Sequence, residues 1–432
     1  MPHNIAVIGA GTMGAGIVQL AAQSGCDVLM YDIKDEFVQR GLTNIQAALQ
    51  SRVDKGKMGK DEMKAILGHI TTGTNRDDAA NYDLIIEAAP ESMELKREIF
   101  ADLGRKASPT TILATNTSSL SITSIASASP HPERVVGMHF FNPAPVMPLV
   151  EVIAAAQTSG DTVESVRTMA QAMGKSPVRA SDTPGFIVNR VARPFYSEAL
   201  KIVGDGSARI STVDEAMRAA GFRMGPFELM DFIGIDVNFA VTQSVYDAFF
   251  GEPRYRPNPI QQRMVEAGTL GRKTGRGFYR YMDGKQGDSA LVQDISLEHK
   301  RNVPFIPEHL TQVFLSRGGI QIPEDRPELG EIIVRILVMI MNEAAFAVGE
   351  GVASVRDIDI AMKLGTNYPK GPLKWADEIG LDTVHSVLKS LIASLADQRY
   401  RPAPLLWQML RSGATGDAVG EGFHTPGEKG MV

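Results

Sequence analysis

Residues 4–14 read NIAVIGAGTMG, an apolar run that stops at Gly9 and continues through glycines spaced G-x-G-x-x-G. A glycine-rich turn by itself says little. Its context decides the fold: a helical pattern follows at Ile17, Leu20 and Ala21, then a second apolar run, CDVLMYD, that ends in Asp32. Strand, glycine turn, helix, strand and terminal acid are the parts of a βαβ unit that binds a dinucleotide. In such a unit Gly9 permits the tight turn, Gly11 lets backbone approach a pyrophosphate, and Gly14 lets helix and strand pack closely. Thr12 and Met13 open the helix, whose N-terminal N–H groups and partial positive charge meet the phosphates. A carboxylate at Asp32 accepts from the ribose hydroxyls and repels a 2′-phosphate, so the expected cofactor is NAD rather than NADP. Ile33 and Lys34 follow it, with no arginine at once.

A chain of 432 residues is longer than one growing core supports, so two or three domains are expected. Its composition, 44% hydrophobic and 22% charged, is that of a globular protein. A net charge of −6 gives no electrostatic reason for nucleic acid or an anionic membrane as partner. Cys26 is the one cysteine, which excludes an intrachain disulfide and a cysteine-rich metal site; no metal is expected. The first strand begins by Asn4, leaving no room for a signal peptide. The longest apolar run, IIVRILVMIM at 332–341, is interrupted by Arg335 and too short to span a bilayer. A reduced, cytoplasmic protein is expected.

Strands and helices keep alternating after Asp32. YDLIIEAA (82–89), TILATN (111–116) and RVVGMHFF (134–141) read as strands, and ESMELKREIFADL as a helix with Met93, Leu95, Ile99 and Leu103 on one face. Such alternation means a parallel, helix-covered sheet whose ligands sit beyond the carboxyl ends of the strands. The polar residues just past those ends become candidates: Glu91, Asn116, Thr117, Ser118 and His139.

His139 and Glu151 lie in GMHFFNPAPVMPLVEVI (137–153), where two apolar runs flank Pro143, Pro145 and Pro148. A turn of six or so residues could fold LVEVI back beside the first run and bring Glu151 to His139. A buried carboxylate needs a partner, and an imidazole that loses and gains protons benefits from one. A glutamate on one ring nitrogen fixes the tautomer and leaves the other nitrogen as a base. Removal of an alcohol's proton as hydride departs needs such a base.

These segments, with ATNTSSLSIT upstream and DTPGFIVNR downstream, resemble the short-chain L-3-hydroxyacyl-CoA dehydrogenase family of the 3-hydroxybutyryl-CoA dehydrogenase kind, from residue 4 to about residue 281. The resemblance implies reversible NAD-dependent oxidation of an L-3-hydroxyacyl-CoA to the 3-ketoacyl-CoA. It also implies that His139 is the base and Glu151 its partner, with Ser118 and Asn189 holding the substrate's 3-oxygen. Asn142 would lie close to the reacting centre, Glu91 and Lys96 would contact the cofactor, and Asn116 would border the nicotinamide. A lysine near 55–57 would meet the CoA phosphates; Lys55 and Lys57 both stand there, with Lys60 beyond. Two other readings remain: a related β-hydroxyacid dehydrogenase, which typically uses a lysine base, and a nucleotide-binding scaffold without catalysis.

Beyond Thr183, expected as an N-cap with Pro184 as first helical residue, the pattern turns helical. Ile187, Val191, Phe195, Ala199 and Ile202 share one face, and a kink is expected at Pro194. Self-comparison then shows a duplication. VDEAM (213–217) recurs as IDIAM (358–362), MGPFELMDFIGID as KGPLKWADEIGLD, and YRPNPIQQRM as YRPAPLLWQM, at an offset of 145 or 146 residues. The expected architecture is an α/β Rossmann-type NAD-binding domain (1–183), an all-α domain (184–282), a linker (283–328) and a second all-α copy (329–432). At the offset Asn189 becomes Val334 while Arg190 is kept as Arg335, so the copy carries no second site. Relatives with one helical domain pair through it as dimers, which implies a pseudo-dimer within this chain and leaves further homo-oligomerisation open.

Overall fold

In the computed structural model, which describes residues 4–290 and 304–424, the chain divides into two units, Met1–Phe186 and Ile187–Val432. The first is built on strands β1 (Asn4–Ile8), β2 (Asp27–Tyr31), β3 (Ile70–Gly73), β4 (Leu84–Glu87), β5 (Ile112–Thr115), β6 (Val135–Phe140), β7 (Leu149–Ala154) and β8 (Ser176–Ser181). They form one sheet in the order β3-β2-β1-β4-β5-β6-β7-β8. From β3 to β6 every pairing is parallel; β7 runs antiparallel to β6, and β8 parallel to β7. The order reverses at β1, which lies between β2 and β4, so the crevice beyond that junction is where a ligand belongs.

The glycines do what their spacing requires. Gly9 adopts φ +111°, and a Cβ on it would stand 2.6 Å from the Ala88 carbonyl oxygen. A Cβ on Gly14 would stand 1.9 Å from the Gly9 oxygen, so the helix Thr12–Gln23 can approach its strand only through glycine there. Around Gly11 the space is open.

Strands β3 and β8 were not legible as strands. Both lie at the sheet's edges, where side chains alternate between core and solvent, and Pro177 in β8 is tolerated only at such an edge. The connection from β6 to β7 spans residues 141–148, longer than the expected six, and includes a cis Asn142–Pro143 bond.

The second unit is helical, with three departures from expectation. Its first helix starts at Val188 rather than Pro184, because Gly185 and Phe186 take left-handed φ of 77° and 46°. The expected kink is a full break: Val188–Val191 ends, and Arg193–Gly204 begins with Pro194 in its first turn, where a missing N–H does least harm. The first copy also ends in an antiparallel hairpin, Tyr279–Met282 with Lys285–Ser289, and the expected linker contains a helix, Glu308–Arg317. The apolar run at 332–341 sits in the helix Glu328–Gly349, which is long enough to cross a membrane, but 89% of its most apolar window is buried inside the unit. It is the core helix of the second copy.

The duplication is physical as well as textual. Asp214 accepts from the Phe227 and Glu228 amides, and its counterpart Asp359 accepts from those of Leu373 and Lys374. Asp231 and Asp377 each accept two amides from the segment that closes their copy. The two copies also exchange buried ions. Arg190 lies 2.7 Å from Glu343, and Arg335 lies 2.7 Å from Glu198. Tyr255 donates to Glu343 at 2.5 Å, and Tyr400 to Glu198 at 2.7 Å. Each residue of one set stands 145 positions from its counterpart.

Candidate active site

The carboxyl ends of β1, β2, β4, β5 and β6 point the same way and gather most of the candidate residues. On the antiparallel β6–β7 pair, His139 and Glu151 are registered directly opposite each other. Their side chains meet: His139 Nδ1 is 2.7 Å from Glu151 Oε2, with the histidine 6% exposed and the glutamate 0%. Phe141 lies 4.6 Å away, ring centre to ring centre, and Phe186 6.0 Å. Phe186 holds a left-handed backbone unusual for a bulky residue, and places its ring on the wall of this site.

Asn116, just past β5, accepts from the Phe140 amide at 2.9 Å and so ties the ends of β5 and β6 together beside His139. Glu91 organises the loop that carries Ser118. One of its oxygens accepts from the Thr117 hydroxyl, the Ser118 amide at 3.2 Å and the Ser119 hydroxyl at 3.3 Å. Ser118 is half-buried.

Lys96 was read with Glu91 as a pair. The structure adds the partner that holds it more closely. Lys96, 1% exposed, lies 2.7 Å from Glu87 Oε1 and 3.3 Å from Glu91 Oε2. Glu87 also accepts from the Thr115 hydroxyl at 2.6 Å and the Ala89 amide at 2.7 Å. The signal for Glu87 was present: it is the one charge inside the apolar part of YDLIIEAA, where burial demands compensation. Lys175 is a second residue the sequence did not flag. Its ammonium donates to the Ala144 and Met147 carbonyls at 2.6 and 2.8 Å, pinning the turn that carries Asn142, and burial holds its pKa below the ordinary lysine value.

The cofactor residues fit a dinucleotide. No side chain caps the helix Thr12–Gln23 at Gly11 and no acid occupies its first turn, so its N-terminus is suited to an anion. Asp32 accepts from the Ala10 amide at 2.8 Å and the Ile33 amide at 2.7 Å, which fixes the carboxylate at the end of β2. Lys34 points elsewhere, 3.9 Å from Glu36 and over the Phe37 ring.

The remaining candidates lie on other segments. Asn142 is exposed on the β6–β7 connection; Lys55 and Lys57 are exposed just after the helix Asp35–Asp54; Asn189 is half-buried on the first helix of the second unit. Among the described residues no group of acidic, histidine or cysteine side chains could hold a metal ion.

Residues 4–183 match the family model described as 3-hydroxyacyl-CoA dehydrogenase, NAD binding domain. The model of that family's C-terminal domain matches twice, at 185–281 and 330–425. A 3-hydroxyadipyl-CoA dehydrogenase of Escherichia coli K12 is 41% identical over 95% of this chain and 98% of its own length. A 3-hydroxybutyryl-CoA dehydrogenase of Clostridioides difficile is 45% identical over 64% of this chain and 99% of its own. A crystal structure described as 3-hydroxybutyryl-CoA dehydrogenase from Escherichia coli K12 superposes with a TM-score of 0.83 at 39% identity, covering 96% of this chain and 99% of that one.

Proposed function

The chain belongs to the 3-hydroxyacyl-CoA dehydrogenase family, and from that premise we propose that it oxidises an L-3-hydroxyacyl-CoA reversibly to the 3-ketoacyl-CoA with NAD. One observation carries the mechanism: the buried 2.7 Å contact between His139 Nδ1 and Glu151. Glu151 accepts a hydrogen bond from Nδ1–H, fixes the tautomer and leaves Nε2 to take the proton of the 3-hydroxyl. The electron pair of the C3–H bond leaves as hydride, the chemistry that bound NAD supplies, and the C3–O bond becomes a carbonyl. The imidazolium that forms is stabilised by the Glu151 carboxylate, which needs no reorganisation to receive it.

Ser118, positioned through Glu91, and Asn189 of the helical unit hold the 3-oxygen. Gly9, Gly11, Thr12, Met13 and Gly14 cradle the pyrophosphate, and Asp32 binds the ribose. Glu91, Lys96, Asn116 and Asn142 line the cofactor side, while Lys55 or Lys57 meets the CoA phosphates. Within the helical unit the second copy acts as a built-in partner for the first, a reading supported by the reciprocal ion pairs Arg190–Glu343 and Arg335–Glu198. We place the enzyme in the cytoplasm.

The test is spectrophotometric: NADH absorbance must rise when a 3-hydroxyacyl-CoA and NAD are mixed with the protein, and no rise means the reading is wrong. Cofactor choice gives a sharper expectation. Asp32→Ser removes the ribose acceptor and the charge that repels a 2′-phosphate, so KM for NAD rises and the NAD/NADP preference narrows by roughly 10-fold or more, the loss of one charge-assisted hydrogen bond. A wild-type enzyme that works as well with NADP removes the role assigned to Asp32.

A further inference from the structure

The loop that carries Ser118 is held at three places. At its start Asn116 accepts from the Phe140 amide, and in its middle Glu91 gathers Thr117, Ser118 and Ser119. At its end it meets Asp182, the first residue of DTPGF. Asp182 Oδ1 accepts from the Ile122 amide at 3.0 Å. Its Oδ2 accepts from the Thr123 amide at 2.7 Å and from the Ser121 hydroxyl at 2.9 Å. The Asp182 amide in turn donates to the Ala154 carbonyl at 3.2 Å, at the end of β7. A further tie crosses nearby, where the Ala156 amide donates to the Thr123 hydroxyl at 3.1 Å.

What these bonds fix is the seat of a short helix, Ile122–Ala126. Its buried side chains, Ile122, Ile125 and Ala126, face the core. Ile122 lies against β6 at Gly137, where a Cβ would stand 3.0 Å from Ile122 Cδ1. Ser118 comes four residues before Ile122, and His139 two residues after Gly137. The seating of this helix on the strand therefore sets how far the Ser118 loop stands from His139.

A helix of five residues does not persist unaided, because nucleation costs more than so few hydrogen bonds return. Burial of Ile122 and Ile125 supplies attraction to the sheet, but hydrophobic contact is non-directional and leaves the helix free to slide. Charge-assisted hydrogen bonds are directional, and Asp182 supplies three of them at the point where the Ser118 loop becomes the helix. Asp182 also opens the turn that ends in Phe186. The Phe186 amide donates to the Thr183 carbonyl at 2.9 Å, and the Phe186 ring stands 6.0 Å from His139. One carboxylate thus joins two walls of the site, the Ser118 loop and the Phe186 turn.

We propose that Asp182 is a positioning residue for the dehydrogenase reaction: it holds the Ser118 loop where the serine hydroxyl reaches the substrate's 3-oxygen, and touches no substrate itself. The proposal rests on the reading that Ser118 holds that oxygen. Displacing a reacting or orienting group by about 1 Å costs up to about 10²-fold in rate, so a loop free to slide on β6 is a loop that has lost its function.

Asp182→Asn keeps the size of the side chain and one acceptor, and puts an NH2 group where Oδ2 took two donors. It should lower kcat and kcat/KM for a 3-hydroxyacyl-CoA together, by roughly 10–100-fold, the range for a misplaced orienting group. Affinity for NADH, read by fluorescence titration, should not change. A double-mutant cycle supplies the decisive measurement. In a Ser118→Ala background Asp182→Asn should cost no more than about 2-fold further, because the group it positions is gone. Ser121→Ala removes one of the three donors and should show a smaller loss with the same dependence on Ser118; it decides the question if Asp182→Asn does not fold. A carboxylate that served only as a helix cap would lower the melting temperature and leave kcat alone. That result, or losses that multiply in the cycle, overturns the positioning role and leaves the dehydrogenase reading intact. Near-normal turnover in Ser118→Ala itself overturns the role of Ser118 and the proposal together.

Discussion

His139→Gln lowers kcat by about 10²–10⁴-fold, the range for removal of a general base, while binding of NADH survives. The amide can still occupy the strand and accept or donate a hydrogen bond, so the sheet register that sets His139 opposite Glu151 is kept. What it cannot do is gain a proton at neutral pH. Glu151→Gln acts through the same bond and should leave a damaged rate with an altered pH profile, because the imidazolium loses the carboxylate that stabilises it. Stopped-flow measurement of NADH formation separates the two effects: cofactor affinity from the fluorescence of bound NADH, chemistry from the single-turnover rate. Turnover within a few-fold of wild type in His139→Gln would falsify the assignment of the base.

The second large effect is on stability. Glu343→Ala should destabilise the helical unit by about 3–5 kcal/mol, the usual result of leaving a buried charge unpaired. Glu343 is 2% exposed and receives Arg190 at 2.7 Å, Arg254 at 2.6 Å and the Tyr255 hydroxyl at 2.5 Å, so its removal takes the fully buried partner from two guanidinium groups at once and leaves them only the less buried Glu350 and Glu252. Its counterpart Glu198 is 0% exposed; burial acts to raise its pKa, but Arg335 and Arg399 prevail and hold it below the ordinary glutamate value. Glu198→Ala should therefore cost a similar amount. Urea unfolding followed by far-UV circular dichroism reads both, and a loss below about 1 kcal/mol, the scale of a surface pair, would show that the crossed pairs do not hold the copies together.

Much of this was legible in the chain. The glycine spacing could be read because each glycine answers a local steric demand. The His139–Glu151 contact could be read because two apolar runs flank prolines whose turn could fold one back beside the other. The edge strands β3 and β8 could not, since an edge is half solvated and its pattern is weak. Glu87 escaped because the identity of its partner, Lys96, depends on how the next helix is laid across the strand. Duplication made Arg190 and Arg335 legible as counterparts, but their partners Glu343 and Glu198 emerge only in three dimensions.

The crossed ion pairs have an evolutionary corollary. In an association of two identical chains every substitution at the shared surface occurs twice, once on each side of the axis, and both sides must tolerate it. Here the two halves are separate stretches of one gene product and can drift independently. Asn189 of one half stands where the other has Val334, while the ion pairs Arg190–Glu343 and Arg335–Glu198 are kept in both. Two copies joined in one chain can thus hold a shared contact fixed while the residues around it diverge.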